Sequence, residues 1–412
     1  MKEIISSLDI GSSTVKLVVG EVYKNEVHIL AVSEVKSKGI KKGIIVDAEE
    51  AIISLKEVFS RCEEVLNIKI DKVILTIPSY YAEFILVEGS TDVKNETKVI
   101  GSEEIINTLQ SCVVNKIPSN KEFVSIMPIE WALDNNKKTH NPNGMESNTL
   151  KCKAIMSLVP KKNVYNSISL LENIGVGVVD INFGSVGDYY EFKNSTLDKK
   201  NTAVINIGDE KTEVSIFKRG ILIETENIDI GSRNIDRDIC YIYDIPRSKA
   251  RDLKEKFALA SKRNASTSWS EEVVNNKNEN IKINQYEISE IICSRIREIL
   301  ELSKKQINLL TKLEISYIIF TGGITELNDF NLVVDESFGK EMERFKVHEI
   351  GCRHNKYSSA LGLIKYYHDK LSFRNKLAYT VSSQKQEELV SVKKTNNNNT
   401  ILGKIYGYFF NN

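Results

Sequence analysis

Apolar and polar residues alternate through the start of the chain. IISSLDIG leads into STVKLVVGEVYKNEVHILAVSEV, where Lys24-Asn25 separates two runs of period two, so the opening predicts strands joined by tight turns. In AEEAIISLKEVFSRCEEVL, residues 48 to 66, the residues Ile52, Leu55, Val58, Phe59, Cys62, Val65 and Leu66 recur at helical spacing, and DKVILTIPS then reads as a buried strand. From about Glu88 to Pro160 the texture is polar and broken by loops, which predicts a small inserted α+β module. KKNVYNSISLLENIG returns to an amphipathic helix, GVVDINF to a strand, and NTAVINIGDEKTEVSIFKRGILIETENI to strand-turn-strand. Residues 246 to 263 and 285 to 313 read as helices flanking a polar stretch. YIIFTGGITEL is a buried strand ending on two glycines, and a last helix covers about 356 to 370.

The second strand-turn-strand segment echoes the first. Setting LDIGSSTVKLVVGEVYKNEVHIL over INIGDEKTEVSIFKRGILIET puts Asp9 on Asn206 and Gly11 on Gly208, which implies two related α/β halves facing each other. The end of the chain is different in kind. SSQKQEELVSVKKTNNNN carries too little apolar surface to offset the entropy of ordering and reads as a flexible tether. Beyond it, a helix would gather Ile401, Leu402, Ile405, Tyr408 and Phe409 on one side, with Lys404 on the other. That is the pattern of an interfacial membrane anchor, too short to span a bilayer. A helix docking on its own domain is the alternative. A single anchor this small binds marginally, so stable attachment calls for several copies, as a polymer would supply.

Composition narrows the partners. The 412 residues are 41% hydrophobic and 27% charged, enough for two or more globular domains. With 56 basic and 56 acidic residues there is no overall field to hold nucleic acid. MKEIISSLDIG lacks the apolar core of a secretory signal and no run reaches the length of a spanning helix, so a cytoplasmic location is expected. The six cysteines are scattered without CxxC pairs, which predicts free thiols and no structural metal.

Candidate chemistry sits in the turns. A strand ending in D-x-G-S-S and folding back offers the N–H groups of Gly11, Ser12 and Ser13, with two hydroxyls, to one anion: a phosphate nest. Lys16 can point back as a charged partner, and Asp9 can hold a hydrated divalent cation such as Mg2+ beside the phosphates. The TGG after the later strand lets backbone approach a flat ligand closely at Gly322 and Gly323. Lys254 could reach a ribose or phosphate. An ordinary polar hairpin and a lysine facing water are the competing readings.

DIGSSTVK, NIGDEKT, GSRNIDRDI followed by ARDLKEKFALA, and IIFTGG occur in the order of the actin-like ATPase superfamily. IPSNKEFVSIMPIEWALDNNKKTHNPNGM further resembles the IPS…PxxFxVD…xPxGM run of the bacterial cell-division FtsA family, which carries a small extra subdomain at this point. The likeness covers about residues 1 to 370 and continues into a linker and membrane-targeting helix like those that close FtsA chains. It implies an actin-like, ribonuclease H-like duplicated two-domain α/β fold with an inserted α+β subdomain. In these terms 1–84 with 160–200 form the first domain and 85–159 the insertion, while 201–240 with 314–375 form the second domain and 241–313 its subdomain. Residues 376–399 become the linker and 400–412 the membrane helix.

The resemblance further implies ATP, with Asp9, Gly11, Ser12, Ser13 and Lys16 in the first phosphate loop and Gly208 and Thr212 in the second. Lys254 lies near the ribose, and Gly322 and Gly323 face the adenine. It implies filaments of the protein itself on the cytoplasmic membrane, recruitment of later division proteins, and docking of the C-terminal peptide of the tubulin-like protein FtsZ near Arg295 and Glu298. Two departures matter. Asn206 stands where the family often has an aspartate, and Arg251 replaces the acidic residue usual on the ribose helix. Asp209 and Glu210 would repel a triphosphate unless a cation or Lys211 compensates. Nucleotide is therefore expected as a conformational and polymerisation ligand with slow or absent hydrolysis. A soluble actin-fold small-molecule kinase and a pilus or secretion-assembly actin-like ATPase are the rival functions.

Overall fold

The computed structural model describes residues 3–24, 26–134, 136–339, 345–372 and 380. The predicted opening forms a meander of β1 (Glu3–Ile10), β2 (Thr14–Tyr23) and β3 (Glu26–Lys36), followed by a short pair, β4 (Ile40–Lys41) and β5 (Ile44–Ile45). Helix α1 (Ala48–Leu66) starts at Asp47, whose side chain accepts the Glu50 N–H, and ends at Asn67 in the left-handed conformation that stops a helix. Its Leu55, Val58, Phe59 and Cys62 are buried, as their spacing predicts, whereas Val65 on the last turn is exposed. Next comes β6 (Lys72–Ile77), which pairs in parallel with β1.

The predicted module follows. Strands β7 (Glu83–Asp92), β8 (Lys121–Ala132), β9 (Lys138–Thr139) and β10 (Thr149–Pro160) form a sheet in the order β7-β10-β8-β9, crossed by α2 (Ser102–Val113). Trp131, Ile105, Leu150 and Met156 belong to its own small core. The chain returns through α3 (Lys161–Asn173) to β11 (Gly177–Phe183), which completes the first sheet in the order β11-β6-β1-β2-β3. Helix α4 (Gly184–Phe192) then leads into the second half.

The second half repeats the first. Strands β12 (Asn201–Ile207), β13 (Thr212–Lys218) and β14 (Ile221–Ile228) form an antiparallel meander, then come α5 (Ser232–Tyr243) and α6 (Arg247–Lys256). A hairpin, β15 (Ser270–Val274) and β16 (Asn280–Asn284), occupies the polar stretch that sequence left undivided. It precedes α7 (Gln285–Leu310) and β17 (Tyr317–Thr321), which pairs in parallel with β12. Helices α8 (Phe330–Phe338) and α9 (Ser358–Ser372) follow. The order β14-β13-β12-β17 matches β3-β2-β1-β6 strand for strand.

The helix expected over 246–263 stops at Lys256. Past it the Ala260 N–H is taken by the Asn328 carbonyl, and the Ser261 hydroxyl caps a separate single turn at 262–264. Helix α9 packs on β1, β2 and β6 and against α4, so it meets the chain where α4 carries it from one half to the other. At their crossing a Cβ on Gly362 would stand 1.7 Å from the Gly187 carbonyl oxygen, and the two backbones touch. Among the described residues, no helix is long and apolar enough to cross a membrane.

Candidate functional site

The β1–β2 and β12–β13 turns face each other across a cleft of about 640 Å³. Their registers correspond: Asp9 lies opposite Lys16 and Asn206 opposite Glu213. In each turn the glycine N–H closes the loop, Gly11 onto Thr14 O at 3.1 Å and Gly208 onto Lys211 O at 2.9 Å. This corrects one expectation. Gly11 offers no free N–H to an anion, and its contribution is its bareness, since a Cβ would stand 2.8 Å from Thr14 O. Among the described residues, the N–H groups of Ser12, Ser13, Asp209 and Glu210 take no protein acceptor, which leaves two pairs of donors at the mouths of the turns.

Asp9, Gly11, Ser12, Ser13, Lys16, Gly208, Lys254, Gly322 and Gly323 all line this one cleft. Gly322 has φ +96°, and a Cβ there would lie 2.3 Å from Ile207 O, so only glycine fits where this backbone passes the second turn. Thr212 is outside the lining. It is fully buried and its hydroxyl donates to Ile230 O at 2.8 Å, because the first residue of β13 points into the second core. Arg295 and Glu298 lie elsewhere, on α7. Arg295 donates two hydrogen bonds to Asp238 at 2.7 and 2.8 Å and also pairs with Glu298, which leaves Glu298 half exposed. The tail residues Ile401, Leu402, Ile405, Tyr408 and Phe409, with the linker, fall outside the described residues.

The charges of the cleft are arranged in pairs. Lys16 Nζ is 2.7 Å from Asp9 Oδ2, while Thr76 donates to Asp9 Oδ1 at 3.0 Å. Asp209 and Glu210 do not face the cleft uncompensated. Arg233 and Arg251 bind Asp209, at 2.7 and 2.8 Å, and Arg233 also reaches Glu210. Lys211, the sequence candidate for this task, instead pairs with Glu213 at 3.0 Å. Lys254 is buried against Asp236 at 2.5 Å, and Arg251 shares the same carboxylate at 3.1 Å. Carboxylates 209 and 236 together hold Arg251 above its usual pKa although burial opposes this.

Several of these groups bridge the two halves. The Lys42 N–H donates to Glu210 at 2.6 Å, Ser79 to Glu213 at 2.6 Å, and Arg251 reaches Ser13 at 3.4 Å. Burial pushes Glu213 up, but Lys211 and Ser79 outweigh it and hold its pKa below the usual value. Both halves therefore close on the site through polar contacts that a ligand's charge can compete with.

Sequence reasoning missed the residue behind the second turn. Asp188 on α4 is fully buried, accepting hydrogen bonds from Asn206 at 2.7 Å, Ser358 at 2.5 Å and Ser359 at 2.8 Å. The short GSVGDYYEF segment shows no amphipathic period, so nothing in it marked a functional helix; an aspartate one residue after Gly187 was the only signal. Burial raises the Asp188 carboxyl from 3.8 to about 7, against its three donors. A raised carboxyl stabilises the folded state fully below its unfolded pKa and loses that contribution as pH rises through about 7. Unfolding free energy should accordingly fall between pH 4 and pH 7, by at most ~4 kcal/mol from this group. Urea denaturation at a series of pH values checks it, and stability that rises steadily across that range would contradict it.

Two family models match the chain: "Cell division protein FtsA" over residues 203–362 and "SHS2 domain inserted in FTSA" over residues 81–157. The second coincides with the β7–β10 sheet module. Cell division protein FtsA of Streptococcus pneumoniae is 26% identical over 362 residues, spanning 88% of this chain and 79% of the relative. That of Bacillus subtilis is 26% identical over 367 residues, spanning 88% and 83%.

The chain belongs to the FtsA family of cell-division proteins.

For FtsA of Enterococcus faecalis the match runs over 429 aligned residues, at 23% identity and 98% of this chain. Solved structures extend the likeness of fold. MreB5 of Spiroplasma citri bound to ADP superposes with a TM-score of 0.56 at 15% identity, covering 90% of this chain and 98% of that one. The PilM–PilN type IV pilus biogenesis complex gives 0.57 at 13% identity, covering 87% and 97%. This FtsA-family chain thus has the actin-like duplicated fold with an inserted subdomain that its sequence implied.

Proposed function

We propose that this FtsA-family protein binds ATP in the cleft, polymerises on the cytoplasmic face of the membrane at the division site, and anchors FtsZ filaments there while later division proteins are recruited. One observation carries the reading. Two turns of identical register face each other with unused N–H pairs and a lysine, the arrangement that grips a polyphosphate from both sides. The solved MreB5 structures of the same fold bind ADP and AMPPNP.

Ser12, Ser13 and Lys16 would take phosphate oxygens from the first half, with the backbone N–H groups of Asp209 and Glu210 opposite. Lys254 would stand at the sugar, and Gly322 and Gly323 would lie flat against the base. Mg2+ would offset phosphate charge in this cleft. Among the described residues, no group of three or more His, Cys, Asp or Glu side chains could hold it outright, so it fits as a hydrated ion with Asp9 as its one carboxylate neighbour. Because the contacts across the cleft are polar, phosphate charge bound between the Ser12–Ser13 and Asp209–Glu210 turns would tighten one half on the other. That is the conformational change a polymer needs.

Membrane attachment is proposed through Ile401, Leu402, Ile405, Tyr408 and Phe409, beyond a linker over 376–399. Each anchor is weak, so polymerisation makes it sufficient. We assign FtsZ's C-terminal peptide to the α7 surface near Arg295 and Glu298, within the subdomain at 241–313. In a liposome co-sedimentation assay, the full chain should pellet more strongly with Mg-ATP, and a chain ending at Asn399 should stay in the supernatant. Equal behaviour of the two chains would remove the anchor, and pelleting unmoved by Mg-ATP would remove the link between nucleotide and assembly.

A further inference from the structure

Asn206 is one of the two departures of this cleft from the pattern its sequence resembles, and a buried carboxylate stands next to it. Asp188 lies directly behind it, fully buried, its Oδ2 2.7 Å from Asn206 Nδ2, on a helix packed against α9 and β12. We propose that Asp188 is a positioning residue of the nucleotide cleft, and that Asp188 and Asn206 act as one carboxylate–amide unit presenting an acceptor oxygen to a bound water. This rests on the nucleotide reading of the cleft given above.

The geometry supports it in three ways. First, the hydrogen bond to Asp188 fixes which end of the amide faces forward. With Nδ2 donating backwards, Oδ1 stands on the cleft side, 3.0 Å from the place a Cβ on Gly322 would take. An acceptor in that position repels a phosphate oxygen and selects a donor. In a site built for polyphosphate, that donor is a water, either in the shell of a hydrated cation or free beside the phosphates.

Second, the partners of Asp188 are an amide and two hydroxyls, all donors and all neutral. The charged group facing it is Glu213 of β13, which is neutralised by Lys211. The carboxylate of β11, Asp180, is bound to Lys370 of α9 at 2.6 Å. A buried carboxylate without a counter-charge is tolerated only through its hydrogen bonds, and these three donors fix where it stands. Third, an aspartate at 206 would put two carboxylates 2.7 Å apart, where both cannot ionise. Asn206 and Asp188 are therefore a matched pair, in which either position can carry the acid but not both.

The unit also has a mechanical connection. Ser358, which donates to Asp188, shares a 2.6 Å hydrogen bond with Thr321 at the end of β17, next to Gly322. What sits in front of Asn206 is thereby linked to the α4–α9 crossing between the halves.

The test is a swap in the full chain: Asn206→Asp, Asp188→Asn, and both together. Mg-ATP binding and the thermal midpoint without nucleotide are each measured at pH 6 and pH 8. Asn206→Asp should weaken Mg-ATP binding about tenfold or more at pH 8 and lower the midpoint. Both defects should shrink at pH 6, where one acid of the pair is protonated. The double variant should return to within about threefold of wild-type affinity, with the pH difference gone. A double variant no better than Asn206→Asp, or an Asn206→Asp variant equal to wild type at both pH values, would overturn the inference. Wild-type protein that shows no saturable Mg-ATP binding would instead overturn the nucleotide reading, and this inference with it. The unliganded midpoints separate a folding defect from loss of the site.

Discussion

Asp236→Asn should destabilise the protein by roughly 3–5 kcal/mol, because it leaves buried charge without its counter-charge. Asp236 is fully buried, Lys254 is 3% exposed, and the 2.5 Å bond between them is the lysine's charged contact. Arg251 Nε takes the other carboxylate oxygen at 3.1 Å. An asparagine keeps the shape and one acceptor but removes the charge, so two cations remain side by side in the wall of the cleft. Replacing an exposed pair such as Lys256–Asp252 should change stability far less, since water screens it. Chemical denaturation of both variants makes the comparison. A loss at Asp236 no larger than at Asp252 would mean that water reaches Lys254 and that the pair is not structural. The variant should also weaken nucleotide binding, because Lys254 and Arg251 are then free to shift from the positions Asp236 sets.

Gly362→Ala is expected to cost about 2–3 kcal/mol. In a solvent-facing helix the same change would gain about 1 kcal/mol from helix propensity. The sign reverses here because the added methyl would meet the Gly187 carbonyl oxygen at 1.7 Å and its carbon at 2.5 Å, and backbone cannot rotate aside as a side chain does. Helix α9 would have to move away from α4, carrying Ser358 and Ser359 off Asp188. Thermal and urea unfolding measure the effect, and a variant as stable as wild type would show that the helices can separate freely. Because the crossing lies where the chain passes between halves, Mg-ATP-dependent pelleting should suffer even at temperatures where the variant stays folded.

Much of the architecture was legible in one dimension. Apolar strand runs between turns in β1 to β3 and β12 to β14, and helical spacing in α1, α3 and α7, are local patterns, although β1, β2, β12 and β13 are buried on both faces rather than one. The repeated turn was legible too, because a loop that must present backbone N–H groups needs glycine at a fixed place after the strand. The β15–β16 hairpin was not visible: its strands are five residues long and polar, with Val273 and Ile283 as their buried apolar residues. Helix α4 was invisible for the opposite reason. It is buried on nearly every side, so no face is turned to solvent and even Ser185, Asp188 and Glu191 are buried.

Sequence by itself determined the family, the duplication, the inserted module and a set of ten residues of which nine line one cleft, because glycine-marked turns after strands are a local pattern. Only the tertiary structure decided how the charges pair. Arg233 and Arg251, not Lys211, neutralise Asp209 and Glu210; Thr212 faces the core; and Asp188 stands behind Asn206. These groups come from strands and helices far apart in the chain. Which carboxylate meets which cation depends on distances of a few ångströms that no local pattern encodes, while the low dielectric of the interior makes those distances decisive.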